Sequence, residues 1–467
     1  MSLPTNAVAR SADETGESRP LGYRAVAGLS RFLLNLFYPR IEIVGAENIP
    51  LDRPLIVAAN HHNSLVDAMM LVSVFPRQLR TLANAPLFRN PLVGPFLRVM
   101  GGLPVHRRQE AGNDPAKNAA LFTATTAALR AGGAIMLFPE GRTQPEPVLL
   151  ELRTGAARML LAAHAEGLMR APATLLPVGL VFHDPGTFRE GDALVLIGTP
   201  IETADCLAVA AADAPRAARV LTDRLAEAIR GLIVEAGDRE SLDLLHFARE
   251  LRTHAISAAM PADGRERVTW LQDAMRIYRE VSNREPARAA AFRERLAGYA
   301  RELEDAGLTP TVLAAERASA PSSPLGDAAF LLFLAPLAIA GIVVHIIPYK
   351  LTGSVVARIL KDEEEEATDK IAAGFVFFLA AWAIETAIAF YLAGIWAALG
   401  FLAALLPLGF IALAWTERLA RILRSVRDQR RITADPERIL ELRERCRALA
   451  NELSDFAEAA KKPENRQ

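Results

Sequence analysis

The chain has 467 residues, 51% of them hydrophobic, and its formal net charge is only −1 because 53 basic residues face 54 acidic ones. A chain of this length can hold two or three domains, and the balanced charge excludes the strong basic field typical of nucleic-acid-binding proteins. Cys206 and Cys446 lie far apart, outside any metal-ligand or redox spacing, so we predict neither a disulfide framework nor a cysteine metal site.

The N-terminal segment predicts a leader followed by a surface helix. Residues 1–21 lack the apolar core of a signal peptide, so we interpret them as a disordered leader of a cytoplasmic domain. Residues 22–39 place apolar side chains on one helical face, with Arg24 and Arg31 interspersed. This pattern is typical of a helix in the membrane interface, and equally of a helix packed on the domain that follows.

The central part of the chain predicts an α/β domain and then a helical region. Residues 40–201 alternate strand-like runs such as "PLIVAAN" and "AIMLFPEG" with helical stretches. We therefore predict a mixed sheet with flanking helices, whose functional side chains lie on loops at strand ends. Residues 202–325 are rich in charge and predict a helical region that ends in a linker.

Two strongly apolar stretches late in the chain, 326–349 and 371–415, predict membrane helices. The second has a single charge, Glu385, in forty-five residues. About 20 apolar residues cross a hydrocarbon core, so this stretch is long enough to cross twice. We predict a helical hairpin that turns near Ala393 and Gly394. The alternative is a set of buried core helices in a soluble protein.

Arginines follow the predicted hairpin, at positions 418, 421, 424, 427, 430 and 431 of a basic helical tail, 416–467. Such clusters favour the cytoplasmic side. If the α/β domain is also cytoplasmic, the number of crossings must be even. We therefore predict that the hairpin spans the membrane and that 326–349 is a re-entrant or interfacial helix, broken by Pro336 and Pro348. The sequence thus predicts a multi-pass protein of the cell membrane with its α/β domain on the cytoplasmic face.

The stretch "NHHNSLVDA", residues 60–68, follows a strand-like run and carries a candidate general base. Ser64 and Asp67 have the spacing of a capping box, which predicts a helix starting at Leu65. His62 lies just before that helix, within reach of the Asp67 carboxylate. An imidazole held in one tautomer by a carboxylate can take a proton from a hydroxyl near neutral pH. The capping box alone would also explain both helix residues.

Two further strand ends carry arginines. The stretch "FPEGRT", residues 138–143, supplies Glu140, Gly141 and Arg142, and "GGLPVHRR" supplies Arg107. Guanidinium groups suit phosphate, so these loops beside a general base indicate a phosphorylated hydroxyl compound as substrate. Each loop taken alone is better explained as a solvated turn with surface arginines.

Together these motifs resemble the glycerolipid acyltransferase family, which includes glycerol-3-phosphate and lysophosphatidate acyltransferases. The first family block, N-H-x-S-x-x-D, aligns on Ser64 and Asp67, which makes His62 the family histidine. The second block is matched by "GGLPVHR" and the third, F-P-E-G-T-R-S, by "FPEGRTQ", in which arginine and threonine are exchanged. The segment "ELRTGAARML" resembles a basic-x-Gly-Ala segment of the family, and "LLPVGL" around Pro177 matches the fourth block.

The resemblance implies that His62, oriented by Asp67, deprotonates a glycerol hydroxyl, which then attacks the thioester of acyl-CoA or acyl-carrier protein. The acceptor is expected to be glycerol-3-phosphate or 1-acylglycerol-3-phosphate, and membrane lipids are the expected environment. No metal and no bound cofactor is required. The remaining positions are expected to bind substrate: Asn63, Ser64, Arg107, Glu140, Gly141, Arg142 and Pro177.

Three alternatives remain open at the level of the sequence. The acceptor could be another lysolipid or an amino lipid, since the "FPEG" region does not decide it. The chain could be an inactive relative that serves as a membrane scaffold or lipid carrier, although the histidine–aspartate spacing and "FPEG" argue against this. A serine hydrolase is disfavoured because the chain has no G-x-S-x-G motif.

Overall fold

The computed structural model describes residues 19–90, 93–106, 115–144, 146–165, 172–255, 263–314, 324–359 and 365–461. Most of the predicted leader, 1–21, lies outside these ranges. The chain divides into two compact units. The first, the N-terminal unit, comprises Met1–Arg239, Ala262–Thr269 and Leu360–Ile371. The second, the helical unit, comprises Glu240–Pro261, Trp270–Ile359 and Ala372–Gln467.

A seven-stranded mixed sheet forms the centre of the N-terminal unit, in the order β1-β7-β6-β2-β5-β3-β4. Only β6 and β7 pair antiparallel, and the other neighbours are parallel. The predicted α/β architecture with a mixed sheet is confirmed. The strands are β1 Arg40–Val44, β2 Leu55–Ala59, β3 Leu79–Asn84, β4 Leu103–Val105, β5 Ala134–Leu137, β6 Thr174–His183 and β7 Asp192–Ile197.

Helices cover both faces of this sheet. They are α1 Leu21–Phe37, α2 Ser64–Val74, α3 Val93–Val99, α4 Pro115–Arg130, α5 Gly155–Ala165, α6 Ala204–Ala210 and α7 Ala214–Arg230. Every residue of β2 is buried, as expected for a parallel strand with both faces covered. Val57 packs in one core cluster with α1 and α2, whereas Ile56 packs in another with α5 and α7, because neighbouring side chains of a strand point to opposite faces.

Helix α1 packs on the sheet rather than standing apart from it. Tyr23, Leu34 and Phe37 are buried in the core, and the Tyr23 hydroxyl donates to the Arg77 carbonyl and accepts from the Leu79 amide. Leu21 remains exposed at the start of the helix. Of the two sequence-based interpretations, packing on the following domain therefore describes the buried face of α1.

The helical unit joins parts of the chain that the sequence analysis treated separately. Its helices are α8 Arg239–Ala255, α9 Gly264–Arg284, α10 Pro286–Ala306, α11 Pro310–Ala314, α12 Pro324–Ile359, α13 Glu366–Ala434 and α14 Pro436–Lys461. Leu442 and Cys446 of the C-terminal helix share a core with Phe292 and Tyr299 of α10. The predicted tail 416–467 thus shares a core with the later part of the region predicted at 202–325, whereas α6 and α7 at its start pack on the sheet.

Helices α12 and α13 are the two helices in the described ranges that are long and apolar enough to cross a membrane. Only 11% and 17% of their most apolar windows are buried, which is unlike the core helices of a soluble protein. The backbone of α13 leaves helical conformation at Gly394, where the sequence predicts a turn. His345 of α12 lies beside Phe378 of the first arm and beside Gly409 of the second, so both arms of α13 pack on α12.

One prediction about α12 needs correction. Pro336 and Pro348 do not break the helix, which continues through both. Helices in apolar surroundings tolerate proline because neighbouring hydroxyls and local adjustments satisfy the freed carbonyls.

Candidate functional site

The loop after β2 brings a histidine and a buried aspartate together. Nδ1 of His61 lies 2.8 Å from Oδ2 of Asp67, and the aspartate side chain is fully buried. The imidazole stacks on Phe138 with a centroid distance of 4.0 Å. With Nδ1 on the carboxylate, Nε2 is left with no hydrogen-bond partner in the described residues, and the side chain keeps 17% exposure. Nε2 is therefore the ring nitrogen open to a substrate.

The predicted pairing of His62 with Asp67 is not formed. Nδ1 of His62 instead lies 3.1 Å from the carbonyl of Gln144. The physical reason is the backbone at the start of α2, where Ser64 has a positive φ of 44°. The first helical residue is thus left-handed, and His61 rather than His62 turns towards the aspartate.

Asn60 fixes where the catalytic loop begins. Its side chain donates to the Leu180 carbonyl at 2.8 Å and accepts from the Leu180 amide at 2.7 Å, which fastens the end of β2 to β6. Asn60 and His61 are adjacent, as are the asparagine and histidine of the first family block. The aspartate stands six positions after this histidine, one more than in the pattern used for alignment.

Asp67 has two roles at the start of α2. Its Oδ2 also accepts from the Asn63 backbone amide at 2.8 Å, which is the reach-back expected of a carboxylate in a first helical turn. The helix begins at Ser64, one residue before the predicted start, and Asn63 occupies the N-cap without a side-chain cap. The positive end of the helix favours the charged carboxylate, so the aspartate caps the helix and holds His61 at once.

Glu140 joins the "FPEG" loop to the histidine loop. Only 3% of the residue is exposed. Its Oε1 accepts from the His61 amide at 2.8 Å and its Oε2 from the Leu150 amide at 3.0 Å. Burial raises the pKa of this carboxyl above its ordinary value, against the opposing effect of the Leu150 amide. Both oxygens accept from backbone amides, so Glu140 organises the loop, and its predicted contact with substrate stays a prediction.

An arginine that the sequence analysis did not single out lies over Gly141. Gly141 has a positive φ of 72°, and a Cβ there would stand 2.7 Å from Nε of Arg153. The Arg153 amide donates to the Pro139 carbonyl at 2.8 Å, so this arginine is anchored to the same loop. Its side chain has neither an ion pair nor a hydrogen bond among the described residues. The signal was present in the basic-x-Gly-Ala segment, whose basic residue is Arg153.

The other predicted substrate residues are dispersed. Arg142 is exposed beside Gly141. Asn63 is buried, with its amide nitrogen donating to the Tyr38 hydroxyl at 3.0 Å. Pro177 is buried within β6, opposite Ala58 of β2, and its predicted contact with substrate stays a prediction. Arg107 lies outside the described residues.

The site occupies one edge of the sheet. Strands β2, β5, β3 and β4 are parallel neighbours, so their carboxyl ends meet at the same edge, where α/β proteins bind ligands. His61 follows β2, and Glu140 follows the adjacent β5. The described ranges contain no group of three His, Cys, Asp or Glu side chains placed to hold a metal ion. The arrangement offers a carboxylate-held imidazole beside an unpaired guanidinium.

Comparison with known proteins follows this geometry. The Acyltransferase family matches residues 40–181. The chloroplastic 1-acyl-sn-glycerol-3-phosphate acyltransferase of Arabidopsis thaliana is 26% identical over 167 residues, 35% of this chain and 44% of that protein. The 1-acyl-sn-glycerol-3-phosphate acyltransferase of Bacillus subtilis is 26% identical over 186 residues, 39% of this chain and 84% of its own length.

A solved structure is also similar. The crystal structure of the 1-acyl-sn-glycerophosphate acyltransferase PlsC from Thermotoga maritima aligns with a TM-score of 0.33 and 20% identity, covering 45% of this chain and 78% of that one. The chain thus spans less than half the length of the Arabidopsis relative and most of the length of the two bacterial proteins.

Proposed function

Because residues 40–181 form an acyltransferase domain of the glycerolipid acyltransferase family, we propose that this chain transfers a fatty acyl group from acyl-CoA or acyl-carrier protein to the free hydroxyl of 1-acylglycerol-3-phosphate. The observation that carries the proposal is the His61–Asp67 hydrogen bond at the edge of the sheet. The names of both curated relatives favour this acceptor over glycerol-3-phosphate. An inactive scaffold would have no need of a carboxylate-held imidazole.

In the proposed mechanism His61 is the general base. Its Nε2 takes the proton of the acceptor hydroxyl as that oxygen attacks the thioester carbonyl. Asp67 accepts a hydrogen bond from Nδ1–H of His61, which fixes the required tautomer. Its negative charge also stabilises the imidazolium that forms. The tetrahedral intermediate collapses to the new ester, and the carbon–sulfur bond breaks. The thiolate leaves and takes up the proton held by His61, so the base is restored.

We assign acceptor phosphate binding to Arg153 in place of Arg142. The guanidinium of Arg153 lies on the loop that Glu140 ties to His61, whereas Arg142 is exposed. Arg153 also stands just before α5, whose positive N-terminal end favours an anion. A contact of Arg107 with the substrate stays a prediction, because this residue lies outside the described ranges.

For the membrane location we propose that the two arms of α13 span the bilayer as a hairpin. One observation within the helical unit supports this. Helices α10 and α14, which precede and follow all apolar segments, share one core, which requires an even number of crossings.

The function is tested with purified full-length protein in lipid vesicles. Labelled palmitoyl-CoA is supplied with 1-acylglycerol-3-phosphate and, in a separate reaction, with glycerol-3-phosphate. We expect label in phosphatidate in the first reaction. Transfer to glycerol-3-phosphate alone would overturn the acceptor but not the chemistry, whereas no transfer to either acceptor, with acyl-carrier protein also tried as donor, would overturn the proposed function.

A further inference from the structure

The first turns of α13 belong to the N-terminal unit and lie beside the catalytic loop. We call residues 366–371 the docking turns. Ala367 and Ile371 are 1% and 9% exposed and are part of the core cluster that contains the sheet and α2. Thr368 donates its hydroxyl to the Asn63 carbonyl at 3.3 Å, and Lys370 donates to the Gly186 carbonyl at 2.8 Å.

Asn63 connects these contacts to the His61–Asp67 pair. Its backbone amide donates to Oδ2 of Asp67, the same oxygen that holds His61. Its side chain donates to the Tyr38 hydroxyl, which in turn donates to the Pro185 carbonyl at 2.9 Å. Burial raises the pKa of Tyr38 well above its ordinary value, so the phenol remains a neutral donor.

The second attachment closes a ring of contacts around this loop. Lys370 binds the carbonyl of Gly186, the residue after Pro185, and pairs with Glu366 at 2.6 Å one helical turn earlier. A side chain at Gly186 would meet the Glu366 carboxylate, which would have to shift to make room. The docking turns therefore contact two loops, at Asn63 and at Gly186. The Tyr38 hydroxyl also hydrogen-bonds to both of these loops.

We infer that Thr368 and Lys370 are positioning residues of the acyl-transfer site, which hold the Asn63 loop so that Asp67 keeps His61 in its reactive orientation. The inference rests on the proposed function. The apolar run of α13 begins at Ile371, directly after Lys370. The same turns thus join the loop that carries the base to the segment proposed to enter the bilayer, where a lysolipid acceptor resides.

Thr368→Val and Lys370→Met, each in the full chain, test the inference. Each variant keeps the side-chain volume and removes the donor. We expect kcat to fall about three- to tenfold, equivalent to about 0.6 to 1.4 kcal/mol, with the KM of both substrates nearly unchanged. Thr368→Ser restores the hydroxyl and is expected to restore kcat. Thr416→Val is the matched control, because that hydroxyl bonds only within its own helix, to Ala412 and Leu413.

Hydrogen exchange of the peptide that covers residues 60–68 gives a readout that needs no activity. Thr368→Val should speed exchange there about threefold or more, and Thr416→Val should not. Wild-type exchange and wild-type kcat in both donor-deleted variants would overturn the inference. The inference would also be overturned if Thr368→Ser lost kcat as well and if the loss in each variant correlated with a lower melting temperature. An inactive wild-type protein would contradict the proposed function alone, since exchange would still decide whether the docking turns hold the loop.

Discussion

At the scale of single residues, the identity of the base rests on one hydrogen bond. His61→Ala should lower kcat about 100-fold or more, the usual scale for losing a general base. His62→Ala should cost much less, because its Nδ1 faces the Gln144 carbonyl rather than Asp67. Steady-state acyl transfer to lysophosphatidate measures both. A larger loss from His62→Ala would show that the base is His62, as the family alignment predicts.

Glu140 makes the stability of the N-terminal unit depend on pH. Its pKa in the folded protein is raised above the ordinary value of 4.5, so folding favours the protonated form. The stability it contributes is fully present below the unfolded pKa and is lost as pH rises through the folded pKa. Relative to Glu140→Gln, the wild-type protein should therefore lose melting temperature from about pH 4.5 upwards. If the melting temperatures of the two proteins changed with pH in parallel, burial would not raise the pKa of Glu140.

Arg153 is expected to control recognition of the acceptor phosphate. Hydrogen bonds to charged groups contribute about 1.5 to 3 kcal/mol, which at a factor of ten per 1.4 kcal/mol is roughly 10- to 140-fold. Arg153→Ala should raise the KM for lysophosphatidate by that factor and leave the KM of the acyl donor nearly unchanged. Arg142→Ala is the matched control. If Arg142→Ala is the more damaging variant, the "GRT" loop bends to restore the family contact.

Residue spacing predicted the loop and its aspartate, but not which of the two histidines contacts that aspartate. Two adjacent histidines present the same chemistry, and the choice depends on the left-handed backbone at Ser64, which no spacing records. The role of Glu140 was missed for a similar reason. A carboxylate at a strand end suggests a ligand contact, whereas its partners are backbone amides, which carry no sequence signal.

At the scale of elements, alternation of apolar strands and helices was sufficient to predict the α/β domain. The buried apolar run of β2 and the "AIML" of β5 identified two central strands. Strand order was not predictable, because pairing depends on contacts between distant segments. Pro177 illustrates the limit. A motif match marked it as a site residue, yet it fills the interior of β6.

The turn of the hairpin gives a prediction about an element. Gly394 has φ 80° and ψ −175°, a region that is essentially restricted to glycine and costs other residues about 1 to 3 kcal/mol. Gly394→Ala should therefore lower the thermal stability of the protein in detergent. Gly400→Ala is the control, because that glycine lies in the helix with open space at its Cβ position. Equal effects of the two substitutions would mean that Gly394 does not form the turn.

At the scale of the whole molecule, the proposed topology predicts which residues face which side of the membrane. Single cysteines are placed at the exposed positions Asp52, Ala393 and Glu437 in a chain whose two native cysteines are replaced. An impermeant thiol reagent applied to intact cells should label only the cysteine at Ala393. Labelling at Glu437 from outside would mean an odd number of crossings and would contradict the proposal.

The sequence did not reveal that the C-terminal tail completes the helical unit. The sequence of an amphipathic helix shows that the helix has an apolar face, but not which other element that face packs against. The hydroxyl of Tyr299 donates to the carbonyl of Leu442 at 2.8 Å, across 143 positions of sequence. Glu302 of α10 likewise pairs with Arg438 and Arg445. Such distant partners become visible only in the folded chain.

This shared core ties the folding of the helical unit to its biosynthesis. The chain leaves the ribosome from its N-terminus, so α10 emerges long before α14. Until α14 arrives, Phe292, Tyr299 and Leu303 have no complete core in which to be buried. Under the proposed topology, a hairpin inserted with one arm too few would place α14 on the opposite side of the membrane from α10, and this core could not close.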